Sequence, residues 1–181
     1  MQKSADGIIR NATFSPDRAC RYVLSRVWDK EKRRIGFVGL NPSRANEKDD
    51  DHTIRKLIHF AKDWGFGGFY IVNLFPRVSP YPNVLPVFKL NKGYDGYMNQ
   101  NRQIVSISLK HLNNIVFMWG ASKYADGLDK WFIDKFPDAL CFGHTRDGYP
   151  THPLRLAYST PLVRFRKTLA GNPLEIDIRK Y

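Results

Sequence analysis

The sequence predicts an α/β protein: a three-layer α/β/α sandwich around a central, mostly parallel four-stranded sheet. Three observations carry that prediction. IGFVGL (35–40), GGFYIVNLF (67–75), NIVFMWG (114–120) and ALCFG (139–143) are short apolar runs, rich in β-branched and aromatic residues, of the length that buried strands require. Segments with helical spacing of apolar residues lie between them. A strand, a helix and a second strand at this spacing make a βαβ unit, whose crossover places its two strands parallel. The chain has 181 residues and is 43% hydrophobic, which suits one packed domain over 1–181.

The elements follow in order. RYVLSRVWD (21–29) alternates polar and apolar side chains and reads as a strand, and DKEKRR is a charged turn before the strand at 35–40. HTIRKLIHFAKDWGF sets Ile54, Leu57, Ile58 and Ala61 on one helical face, with Gly65 at the stop. After the strand at 67–75, PRVSPYPNVLP holds four prolines and reads as a loop. A helix is expected from about Asp95 into KHL, and another over KYADGLDKWFIDKF, between the last two core strands. STPLVRFRKTLA (159–170) reads as a C-terminal basic amphipathic helix.

Composition narrows the function. Twenty-nine Lys and Arg against seventeen Asp and Glu give a net charge of +12, which in an aromatic-rich domain points to a polyanionic partner, most often nucleic acid. No apolar run approaches the ~18 residues of a membrane span. The N-terminal segment lacks a signal-peptide core, so a cytoplasmic protein is expected. Cys20 and Cys141 are isolated and fit reduced, structural thiols. His144, Asp147 and His152 match no familiar ligand spacing, so neither metal nor cofactor is expected. The absence of GxSxG, Walker A and GxGxxG patterns argues against the common hydrolases, NTPases and dinucleotide enzymes.

In open α/β sheets, sites form where strands end and loops begin. Four places qualify: Gly39–Ser43, Asn73–Pro76, Trp119–Tyr124 and Thr145–Arg155. Pro42 holds Asn41 extended, so its amide serves either to orient a ligand or water or to form an Asx turn. Asn73 ends an apolar strand with a donor and an acceptor, which suits a nucleobase edge or a neighbouring loop. GYPTHPLRL presents His152, Leu154 and Arg155 on a proline-bounded loop that suits a duplex wedge or an ordinary surface turn. Asp51, in the run Asp49-Asp50-Asp51, either caps the following helix or reaches a reacting sugar.

Taken in order, these motifs resemble the uracil-DNA glycosylase superfamily. GLNPS is similar to its first motif, FYIVNLF to the strand ending in the base-reading asparagine, IVFMWGASKYAD to its Trp-Gly strand, and THPLRL to its His-Pro loop. RYxLxRxW, GLNPS, DD-x-T, WG and HPL together look like an uncharacterised domain family of bacteria and phages. The resemblance implies a uracil-DNA glycosylase-like fold and a monofunctional DNA N-glycosylase, serving repair or phage defence. Asn41 would position water, His152 would stabilise the departing base, and Asp51 is a lesser catalytic candidate. Asn73, Pro42, Ser43, Phe75 and His52 would surround the base. Leu154, Arg155, Arg44, Arg146, Ser122 and Lys123 would meet DNA, and one chain would act as a monomer. The first motif lacks the tyrosine that excludes a 5-substituent in efficient uracil enzymes, so the expected base is a uracil-like or modified pyrimidine. Two other readings stand beside it: a non-catalytic sensor of modified nucleic acid, and a nucleotide N-glycosidase.

Overall fold

The structure is a computed structural model that describes residues 6–166 and 175–176. Its strands are β1 (Ile9–Phe14), β2 (Arg21–Val27), β3 (Arg34–Gly39), β4 (Gly68–Asn73), β5 (Ile115–Phe117), β6 (Leu140–Cys141), β7 (Leu162–Arg164) and β8 (Glu175–Ile176). The α-helices are α1 (His52–Asp63), α2 (Leu85–Lys89), α3 (Tyr94–Leu109) and α4 (Asp129–Lys135). Among the described residues, the eight strands join one sheet in the order β1-β2-β4-β3-β5-β6-β7-β8.

The α/β class is therefore as expected, but the sheet is neither four-stranded nor mostly parallel. The expected apolar runs are its parallel centre, β4-β3-β5-β6. Antiparallel pairs extend it on both sides: β1 with β2 and β2 with β4 on one, β6 with β7 and β7 with β8 on the other. IRNATF, the β1 sequence, alternates half-buried and exposed side chains from Arg10 onward and is half-open to solvent, as an edge strand is. It therefore lacks the apolar run that marks a buried strand. The expected C-terminal helix is also corrected: Leu162 and Val163 are buried and belong to β7, and residues 167–170 lie outside the described residues. PLVRFR fits a strand period as readily as a helical one, and pairing with β6 decides between them.

Alternation along each central strand sorts side chains onto two faces. Ile35, Phe37, Phe69, Ile71 and Val116 pack with Leu57, Phe60 and Ala61 of α1. Val38, Val72, Ile115 and Phe117 point the other way, toward Leu85 and Phe88 of α2, Met98 and Val105 of α3, and Phe132 of α4. Helices thus cover both faces. Gly39 of β3 stands in register with Asn73 of β4, and Val38 with Phe117 of β5, so three parallel strands end level with one another.

Candidate active site

Beyond that level edge the backbone ladder continues into the loops. Leu74 N–H donates to Gly39 O, Phe75 N–H to Leu40 O, and Ser79 N–H to Pro42 O, each at 2.9 Å. The GLNPS turn is thereby clipped to the proline-rich loop. Asn41 completes the clip: its Nδ2 donates to Ser79 O at 2.8 Å and Pro42 O at 3.1 Å, and lies 3.4 Å from Arg77 O. Three carbonyls around one nitrogen settle which end of the amide is which. Oδ1 accepts no hydrogen bond among the described residues, so it remains a fixed acceptor.

The strand ends enclose a cavity of about 190 Å³. Asn41, Ser43, Asp51, Asn73 and His152, chosen from separate stretches of sequence, all line it. Asn73 is 2% exposed, and its Nδ2 has no hydrogen-bond partner. Native proteins rarely leave a buried donor unmet, because each such group costs about 1–3 kcal/mol, so an orphan on a cavity-lining residue is a candidate ligand contact. Helix α3 holds this strand end: the buried Asn101 donates from Nδ2 to Asn73 O at 3.0 Å.

Gly39 makes the cavity possible. A Cβ on it would lie 2.8 Å from Asn73 Oδ1. Gly39→Ala is expected to swing the Asn73 amide aside, lowering ligand affinity or turnover at least tenfold by roughly 1.4 kcal/mol, while a thermal melt stays within a few degrees of the parent.

The acidic run divides its work. Asp50 is nearly buried and bridges two arginines, Arg26 Nε to its Oδ1 at 2.6 Å and Arg10 NH2 to its Oδ2 at 2.9 Å. Asp49 closes a tight turn with Asn46, whose Nδ2 lies 3.1 Å from Asp49 Oδ2. Asp51 is the N-cap of α1, its Oδ1 accepting from Ile54 N–H at 2.9 Å. Capping does not exclude the second role, since Asp51 also borders the cavity and its Oδ2 accepts no hydrogen bond among the described residues.

His152 stands at the mouth of the cavity, reached by solvent on one side. Its Nδ1 accepts from Leu154 N–H at 3.3 Å, which leaves the proton of a neutral ring on Nε2. Packing around the ring pushes its pKa below the ordinary imidazole value, and the Asp51 carboxylate opposes that shift. Gly120 anchors this loop. Its φ of +76° suits glycine, its N–H donates to Pro150 O at 2.9 Å, and a Cβ on it would come within 3.4 Å of His152 Cβ.

Other expected residues fall elsewhere. Pro42 is buried in the turn, whereas Phe75 is fully buried among the core residues and does not line the cavity. His52 is exposed on the first turn of α1, near Arg55. Trp119 and Pro82 supply the ring surfaces bordering the cavity instead. Leu154 is 46% exposed, and Arg155, Arg44, Arg146 and Lys123 are exposed too. Ser122 is half-buried and caps a 3-10 turn by accepting from Tyr124 N–H.

One lining residue escapes the sequence reading entirely. Arg21, the first residue of β2, is 2% exposed and faces the same cavity. The only nearby signal is the acidic run itself, which needs cations close by. A larger groove of about 580 Å³ opens at the opposite end of the sheet, beside Arg33, Arg34, His111 and Asn114. None of the orphaned buried groups lies in it, and ligands in parallel sheets collect at the other end. Among the described residues no helix is long and apolar enough to cross a membrane, and no His, Cys, Asp and Glu cluster could hold a metal.

Comparison with known proteins gives one match. The profile of a family described as "Protein of unknown function (DUF1643)" matches residues 21–154, which include β2 and every cavity residue named above. No curated protein and no solved structure matches the chain.

Proposed function

The chain belongs to the DUF1643 family, and we propose that it is a DNA glycosylase that hydrolyses the N-glycosidic bond of a flipped uracil-like or modified pyrimidine. The observation that carries this reading is the unpartnered Nδ2 of buried Asn73 in a cavity shared with Asn41, Asp51 and His152. A cavity of roughly 150 Å³ accepts a benzene ring, so 190 Å³ suits a pyrimidine with a small substituent and not a whole nucleotide. The sugar and phosphates then stay outside, where the net charge of +12 favours a polymer over a free nucleotide.

In this reading Asn73 donates to a carbonyl oxygen of the base. The C1′–N bond breaks with its electron pair leaving on the base, and the sugar gains oxocarbenium character. Asn41 Oδ1 orients the water that bonds to C1′, and Asp51 Oδ2 takes that water's proton. His152 donates from Nε2 to the charge growing on the base, as an oxyanion-hole donor does. Leu154, Arg155 and Arg44 face the duplex, where the excess of positive charge favours phosphates. Every role in this reading falls to residues of a single chain, which is taken to act as a monomer in the cytoplasm.

The test is a panel of duplexes carrying uracil, a mismatched thymine or modified cytosines, treated with alkali after incubation. Strand breaks at the altered base are expected, and they are expected to vanish in Asn41→Ala. Binding without breaks, unchanged in Asn41→Ala, would instead favour a sensor, and free base from mononucleotides alone would favour a nucleotide N-glycosidase.

The His152 shift adds a pH dependence. A histidine with a depressed folded pKa takes up protons more readily when unfolded, so its contribution to stability is lost as pH falls from its ordinary value through its folded one. Protonation also destroys the Nδ1 acceptor that holds Leu154 N–H. Excision is therefore expected to be flat around pH 7 and to fall only on the acid side of the ordinary imidazole pKa, as pH passes the lowered folded value. A pH–rate profile checks this, and in His152→Gln the step should vanish.

A further inference from the structure

The cavity is bordered by two acceptors, Asn41 Oδ1 and the Asp51 carboxylate, and by one buried cation, Arg21. Three of its lining residues carry a buried donor with no hydrogen-bond partner, Asn73 Nδ2, Trp119 Nε1 and Arg21 Nε. Arg21 is the unusual member. Its guanidinium donates from NH1 to Ala45 O at 2.5 Å, and among the described residues no carboxylate pairs with it directly. Burial lowers its pKa to about 10, while the Asp51 charge pulls the other way. A buried cation is ordinarily paired. Here the missing partner is an anion of the cavity's own size.

We propose that Arg21 makes the cavity a site for a ring-sized anion, the pyrimidine base as it leaves the sugar with the bonding electron pair. The identity of that ring rests on the base-excision reading, whereas the anion site rests on the wall itself. Cleavage of C1′–N places one negative charge on the base, and a water oxygen bonds to C1′ and releases its proton. Arg21 donates a hydrogen bond to the charged base without transferring a proton, and the base is protonated from solvent after release. His152 would meet that charge from the mouth and Arg21 from within.

Binding of two rings of similar size to the intact protein tests this. Uracil is neutral at pH 7, and barbiturate is a pyrimidine anion. The wild type is expected to bind barbiturate about tenfold more tightly, the difference between a charge-assisted and a neutral hydrogen bond. Arg21→Lys should keep part of that preference and Arg21→Met should lose it. The apolar methionine removes an unpaired buried charge, so Arg21→Met is expected to melt no lower than the wild type. Equal affinities in the wild type, or a preference unchanged in a folded Arg21→Met, would overturn the proposal. A second measurement follows excision: Arg21→Met should slow uracil release about 100-fold but 5-fluorouracil, the more stable anion, only about tenfold. A uniform loss would make Arg21 a structural residue. Wild-type protein that prefers barbiturate yet releases no base from any duplex would leave the anion site standing and overturn the glycosylase reading alone.

Discussion

His152→Ala is expected to slow base excision by about 10²- to 10³-fold, the usual cost of removing one donor aimed at developing charge. DNA affinity should fall far less, because the lost group acts on the base only as it leaves. Some loss is expected, since His152 Nδ1 also accepts from Leu154 N–H and so shapes the tip of the exposed loop. Single-turnover excision measured beside equilibrium binding separates the two effects. Equal losses in both would make His152 a binding residue. His152→Asn, which restores a capping acceptor without reproducing Nε2–H, should recover affinity but not rate.

Asp50→Ala carries the largest expected effect on stability. Arg26 is fully buried, and burial pulls its pKa down while its hydrogen bond to Asp50 pulls it up. Removing the carboxylate strands that cation, and breaking a buried pair commonly costs about 3–5 kcal/mol. Arg26 would still donate to Ser25 O at 2.8 Å and Asn46 O at 2.7 Å, so the lower end of that range is expected. For a chain of this length about 3 kcal/mol lowers Tm by roughly 6–12 °C. The double variant Arg26→Met with Asp50→Asn should recover much of the loss. Because Asp50 also holds the loop that presents Asp51, excision should fall in Asp50→Ala even well below its melting temperature.

Part of the cavity's lining is legible in the sequence. Asn41 and Asn73 stand just beyond or at the end of an apolar run, and strand ends in register bring such residues together, while His152 comes in on the proline-bounded loop after the last run. The acidic run was readable only as alternatives, because capping by Asp51 and pairing by Asp50 depend on partners far away in sequence. Arg21 was not legible. In RYVLSRVWD its charge reads as the solvent side of an alternating strand, and only the packing of loop 40–51 over β2 encloses it. Phe75 shows the converse error, an aromatic beside a loop that turns into the core. Two strands outside the parallel centre escaped for a related reason: β1 is half-exposed, and β7 is three residues long. Neither is a long apolar run, and only pairing with a neighbour makes either one a strand.

We propose that this cavity releases a base from DNA. Mass-spectrometric detection of free base, after incubation of wild-type protein with duplexes carrying uracil or modified cytosines, tests it most directly. The account predicts one free pyrimidine per abasic site formed, with release abolished by Asn73→Ala and strongly slowed by His152→Ala. Tight binding of the same duplexes, with no free base after many binding half-lives, would contradict it.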